Sequence, residues 1–328
     1  ARNEPESNLL VIRKTASHFF PHTCAPAGQI VEIINFTKLI HWRLTLMPYG
    51  HPGPKKPPEE PAILMDFADL KKANLTNAVL AYAECGAGEP VILVHGGFSD
   101  LRTWSSQFKA FSEGFRTIAY SRRYARPNAD IPDGSDNQML PHIEDLSELL
   151  KTTNAAPAHL VGHSWGGLIV LLTALRQPEI VRSITLVEPP IVALFLGTSP
   201  SKKKVLSLLV RSPRIALPTL KFGTTVIGPA ETAFRNGDDR RAVEILGKGV
   251  LGQAQFSRLS HERYNQAWEN RRADKAQLLG AGSSPMLLQD DIKMILAPAL
   301  VVAGADSPKA LHRMSEELEK LLPDARLR

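Results

Sequence analysis

Gly162-His-Ser-Trp-Gly166, entered from the apolar run His159-Leu-Val and left through the helix-patterned stretch Trp165 to Arg176 (WGGLIVLLTALR), carries most of the information about how this chain folds. It fits G-x-S-x-G in the context that gives the pattern meaning, a buried strand running directly into an apolar helix. The glycines permit the sharp reversal, because side chains flanking the serine would otherwise collide where the chain turns. Ser164 is therefore expected to project its hydroxyl above a sheet, which makes it the candidate nucleophile.

On both sides of this turn, strand and helix patterns alternate. Upstream, Asn77 to Glu84 reads as a strand, Val91 to Val94 as a wholly apolar buried strand, Arg116 to Ser121 as another, and His142 to Lys151 as a helix. Downstream, Ser183 to Val187 and Ala299 to Ala303 read as strands and Lys309 to Leu322 as a helix. Such alternation, joined by short Gly- and Pro-marked loops, predicts an α/β protein with a mostly parallel, doubly wound sheet. Between Pro190 and Ile295 the alternation stops. The patterning there is helical, at Lys202 to Val210, Ala230 to Phe234, Arg240 to Leu246 and Phe256 to Arg271. A helical cap at about residues 190–295 is expected, inserted after the strand ending at Glu188 and lying above the strand ends.

Composition sets the outer limits. At 328 residues, 43% hydrophobic and 22% charged, the chain can bury a full core. Residues 1–62 differ from the rest: their alternation is patchy and Pro48 to Pro61 is proline-dense, so they are expected to form an irregular appendage to a domain at 63–328. The net charge of +6 is mostly scattered. Its densest run, Ser201 to Arg214, interleaves Lys202, Lys203 and Lys204 with Val205, Leu206, Leu208, Leu209 and Val210. That pattern fits a short helix with one packed side and a basic solvated start better than a nucleic-acid or membrane site. Cys24 and Cys85 have neither CxxC nor metal-ligand spacing, which fits a reducing, cytoplasmic compartment and no metal site. No apolar run reaches the roughly 18 residues that a membrane span needs.

Val91-Ile-Leu-Val-His-Gly-Gly-Phe98 ends a buried strand upstream of Ser164. Together with GHSWGG it resembles the α/β-hydrolase superfamily, in its capped branch with a serine nucleophile, and the similarity covers roughly residues 66–328 in order and spacing. The resemblance implies that the backbone N–H groups of Gly97 and Trp165 form the oxyanion hole. His95 is better read as a hydrogen-bonded brace at the strand end, and His163 as filling the turn. For the acid that orients the catalytic histidine, two positions compete. Glu188 stands at the end of the Ser-Ile-Thr-Leu-Val strand, and Asp306 lies in Gly304-Ala-Asp-Ser-Pro308, one residue short of the family's usual position, which Ser307 occupies. Glu188 is favoured.

In this superfamily the histidine lies on the loop after the last strand, downstream of the acid. His261 falls in the cap and His312 on the preceding helix, so neither matches, and a domain incomplete at its C-terminus is expected. The resemblance implies a serine hydrolase acting on a carboxylic ester or related small acyl substrate through an acyl-enzyme, with no cofactor. The alternative is a non-catalytic ligand-binding protein on the same fold, because fold alone does not determine function.

Overall fold

The structure, a computed structural model, describes residues 69–198, 200–280 and 287–328. The expected appendage at 1–62 lies outside the described residues. Among the described residues, eight strands form one sheet in the order β1-β2-β4-β3-β5-β6-β7-β8. They are β1 Lys71–Asn74, β2 Val79–Cys85, β3 Pro90–Val94, β4 Arg116–Tyr120, β5 Ala158–His163, β6 Val181–Val187, β7 Ala299–Val302 and β8 Ala325–Leu327. β1 pairs antiparallel with β2, and β2 antiparallel with β4. All other pairings are parallel. The α/β class and mostly parallel sheet are as the alternation predicts.

β3 is central because both its edges are paired, to β4 and to β5, and its sequence answers that position. Val91, Ile92, Leu93 and Val94 are each fully buried. Burying one such side chain contributes about 1.5–3 kcal/mol, so this short run anchors the sheet out of proportion to its length.

Helices connect the parallel strands: α1 Ser105–Ser112, α2 Met139–Thr152 and α3 Trp165–Arg176 before β6, and α12 Lys309–Leu321 between β7 and β8. α2 buries Met139, Ile143, Leu146, Leu149 and Leu150, the spacing of one helical face. α3 is apolar all round and is buried all round from Trp165 to Ala174, packing on β5 and β6.

Among the described residues between β6 and β7 lie eight α-helices: α4 Val192–Leu196, α5 Lys202–Arg211, α6 Pro213–Phe222, α7 Gly228–Arg235, α8 Asp239–Leu251, α9 Gln253–Phe256, α10 His261–Leu279 and α11 Gln289–Lys293. A single helix from Phe256 to Arg271 does not form. α9 ends at Phe256, and α10 restarts where the Ser260 side chain caps it by accepting from Arg263 N. α10 also runs on to Leu279, and the residues it buries are Ala273 and the polar Gln266, Asn270 and Asp274. The pattern at Phe256 to Arg271 locates the first part of this helix and misses its last eight residues. β1 carries no strand pattern in its sequence, since Lys71-Lys-Ala-Asn74 is a short polar edge strand with only Ala73 buried.

Candidate active site

The strand order reverses at β3. The chain passes from β3 to β4 on one side of it, then returns to β5 on the other. Parallel sheets bind ligands in the crevice beyond the carboxyl ends of the strands at such a switch point. β3 and β5 are the strands that end in His95-Gly-Gly-Phe98 and His163-Ser164.

Ser164 sits at φ 50°, ψ −120°, between β5 and α3. A non-glycine residue there is strained by about 1–3 kcal/mol and persists only where its surroundings over-determine it. They do. A side chain at Gly162 would collide with the backbone of Gly166 and Gly167, and one at Gly166 with the carbonyl oxygens of Val94 and His95. The Ser164 amide donates to Val187 O at 2.7 Å, tying the turn to the end of β6. Ser164 itself is only partly buried.

The loop after β3 lies directly against this turn. A Cβ on Gly96 would stand 3.2 Å from Ser164 Cβ and 3.0 Å from His163 Nδ1. Trp165 opens α3, so its N–H has no carbonyl four residues back within the helix, and the helix dipole favours negative charge at that end. The Trp165 ring is buried beneath the Arg122 guanidinium, 4.5 Å from ring centroid to Cζ, and meets His142 edge-on at 4.7 Å.

His95 is fully buried. Its Nδ1–H donates to Gly96 O at 2.9 Å and its Nε2 accepts from Arg122 N at 2.9 Å, an arrangement that requires neutral imidazole. Burial, aided by the Arg122 charge, pushes its pKa down to about 3. Such a group braces the strand end and has no proton to exchange near neutrality. His163 is shifted downward by burial, with the Glu188 charge opposing. His261 is exposed at the start of α10, and His312 lies half-buried on α12.

The two candidate acids occupy very different places. Glu188 is 9% exposed, at φ 51° immediately after β6, and its Oε1 accepts from Gly304 N at 2.8 Å. Asp306 is exposed on the loop after β7. The structure thus brings Glu188 to the strand ends near His163 and Ser164, and leaves Asp306 in solvent.

Two functional-looking residues escaped sequence reasoning. Arg122 is buried behind the β3 loop, where its Nη2 donates to Gly96 O at 2.9 Å. Asp274, buried on α10, accepts from Phe98 N at 2.6 Å through Oδ2. Burial raises its pKa to about 6, with the Arg122 charge and the Phe98 N–H opposing. The signal was present only as spacing: Gln266, Asn270 and Asp274 recur every four residues, a polar stripe that reads as solvated until the fold buries it. The same stripe holds Asp100, whose Oδ1 accepts from Gln266 Nε2 and Oδ2 from Asn270 Nδ2, each at 2.8 Å.

Residues 89–328 match a protein family described as the alpha/beta hydrolase fold. The (E)-2-((N-methylformamido)methylene)succinate hydrolase of Acinetobacter baylyi is 22% identical over 244 residues, which cover 74% of this chain and 81% of that protein. The 2-hydroxy-6-oxo-6-phenylhexa-2,4-dienoate hydrolase of Comamonas testosteroni is 28% identical over 128 residues, 38% of this chain and 44% of that protein. Among solved structures, a thermophilic esterase from Thermogutta terrifontis superposes with a TM-score of 0.57 at 19% identity, covering 79% of this chain and 89% of that one. At that identity the likeness is one of fold.

Proposed function

This chain belongs to the alpha/beta hydrolase fold family, and we propose that it is a serine hydrolase that cleaves a carboxylic ester or a similarly activated acyl substrate through an acyl-enzyme on Ser164. The observation that carries this reading is the strained Ser164 backbone, held by Gly162 and Gly166 at the switch point of the sheet with the β3 loop packed against it. The names of the relatives support the coarser part of this reading, since the proteins from Acinetobacter baylyi and Comamonas testosteroni are both named hydrolases.

The nucleophile, the acid and the oxyanion donors of this reading are groups of the described chain, and the base is the one that the family's chain order supplies. Ser164 Oγ attacks the carbonyl carbon as a histidine base takes its proton. In the family's chain order that base follows the last strand, downstream of the acid. The carbonyl oxygen becomes an oxyanion beside the N–H groups of Gly97 and Trp165. Donors already aimed when charge develops are each worth about 3 kcal/mol. Collapse expels the alcohol, which takes up the proton. Water then attacks the acyl-enzyme, releasing the acid and regenerating the serine. Glu188, buried and fixed by the Gly304 amide, is the carboxylate that orients the base and stabilises the imidazolium.

Turnover of a short nitrophenyl ester by the full-length protein tests the assignment. Ser164→Ala should abolish hydrolysis while the melting temperature stays within a few degrees of wild type. A binding protein on the same fold would give no serine-dependent turnover at all.

A further inference from the structure

We propose that Asp274 is a positioning residue that grips the oxyanion loop from α10 through the Phe98 amide and so keeps the Gly97 N–H aimed above Ser164. This inference rests on the assignment of Ser164 as nucleophile and Gly97 as an oxyanion donor.

The loop's peptide groups are held at two points. Arg122 Nη2 donates to the Gly96 carbonyl at 2.9 Å, and the Phe98 amide donates to Asp274 Oδ2 at 2.6 Å. Gly97, the residue between, is approached so closely that an added Cβ would stand 2.8 Å from Asp274 Oδ1. The carboxylate therefore lies against the segment that would hold the oxyanion, and a side chain at Gly97 would have to push it aside. Phe98 sits at φ 50°, a conformation that needs support from its surroundings, and a charge-assisted hydrogen bond provides it.

α10 cannot easily let go. Gln266 and Asn270 hold Asp100 in the same loop, Asn270 Oδ1 accepts from Arg126 N at 2.8 Å, and Asn137 Nδ2 donates to Ala273 O at 3.0 Å. Asp274 is thus delivered to Phe98 by a helix bonded to three separate loop positions. Burial makes this carboxylate an unfavourable tenant, and an apolar side chain would fill the space at less cost. What an apolar side chain lacks is an acceptor at that one point.

The test compares Asp274→Ala and Asp274→Asn with wild type and Ser164→Ala in the full-length protein. Three readouts are used: the rate of covalent labelling by a fluorophosphonate, kcat and KM on a nitrophenyl ester, and amide hydrogen exchange across residues 95–101. Loss of one aimed oxyanion donor costs about 100- to 1000-fold in kcat, so a loosened one in Asp274→Ala should cost at least about 10-fold in kcat and labelling, with KM little changed. Exchange over the loop should accelerate. Asn keeps an oxygen acceptor at the same reach, so Asp274→Asn should recover most of the labelling rate and slow exchange. Should Asp274→Ala not melt cooperatively, Asp274→Ser, whose hydroxyl stops short of the Phe98 amide, is held to the same criteria. Wild-type labelling at Ser164 with an unchanged rate and unchanged exchange in Asp274→Ala would overturn the inference alone, as would an Asn variant as impaired as the Ala variant. Wild-type protein that takes no label would overturn the nucleophile assignment itself, and this inference with it.

Discussion

Glu188 Oε1 accepts the Gly304 amide at 2.8 Å, joining the carboxyl end of β6 to that of β7. The bond fixes a nearly buried carboxylate at the strand ends, whereas Asp306, two residues beyond Gly304, is exposed. Glu188→Gln keeps the acceptor for Gly304 but removes the charge that stabilises an imidazolium. Its kcat should fall steeply with KM little changed, by up to about 10,000-fold if the effect matches that in a serine protease with the same logic. Asp306→Asn should stay within several-fold of wild type. Steady-state kinetics on one ester would check both, and the reverse pattern would transfer the role to Asp306.

The glycines at the turn give a sharper test of local sterics. A methyl group at Gly166 meets the carbonyl oxygens of Val94, the last residue of the central strand, and of the fully buried His95 that follows it, and neither can easily give way. Gly166→Ala should therefore lose more than about 3 kcal/mol or fail to fold, in the manner of severe overpacking. Gly223 is in helical conformation with nothing near its absent Cβ, and Gly223→Ala should be neutral or stabilising by up to about 1 kcal/mol. Denaturant midpoints of the two variants make the comparison.

His95 makes stability depend on acid. Its pKa is pushed from an ordinary 6.5 down to about 3, so above pH 6.5 it is neutral in both folded and unfolded chains. As pH falls below that value the unfolded chain takes up a proton that the folded one refuses, and stability is lost progressively toward pH 3. His142, buried and also shifted well below its ordinary value, acts in the same direction. The loss from His95 alone should be on the order of 3 kcal/mol by about pH 4. Urea unfolding across this range should show the decline, and His95→Gln should flatten part of it.

Asp274 contributes with the opposite sign. Its pKa is raised from 3.8 to about 6, so between those values the folded chain keeps a proton that the unfolded chain has released. Stability is therefore withdrawn as pH rises through this window. The attraction of Arg122, the charged group facing it, offsets only part of the burial cost. Asp274→Asn should be more stable than wild type near neutrality by a few kcal/mol, with the difference gone below about pH 4. A variant less stable than wild type at pH 7 to 8 would contradict this account.

Much of this architecture was legible because its strongest signals are local. Val91 to Val94, a short apolar run bounded by turn residues, reads as a buried strand, Trp165 to Arg176 as an apolar helix, and the glycines around Ser164 gain their meaning from standing between a strand and a helix. Asp274 was not legible, since its role depends on α10 meeting a loop 176 residues away in sequence. Arg122 was hidden for a related reason: an arginine after a strand reads as solvated, and only the packing of Trp165 and the Gly96 carbonyl around it reveals a buried cation. The choice between Glu188 and Asp306 lay between: both follow Ser164 in the chain, Ser307 at the usual acid position favours Glu188, and the fold adds that Glu188 is buried and Asp306 exposed, which the kinetics of the two variants put to the test.

The most direct measurement is the site of covalent modification by a fluorophosphonate. Full-length protein treated with the reagent and mapped by peptide mass should carry one adduct, on Ser164, with none in Ser164→Ala. An adduct elsewhere that survives the Ala substitution, or a folded wild-type protein that remains unlabelled, would contradict the account.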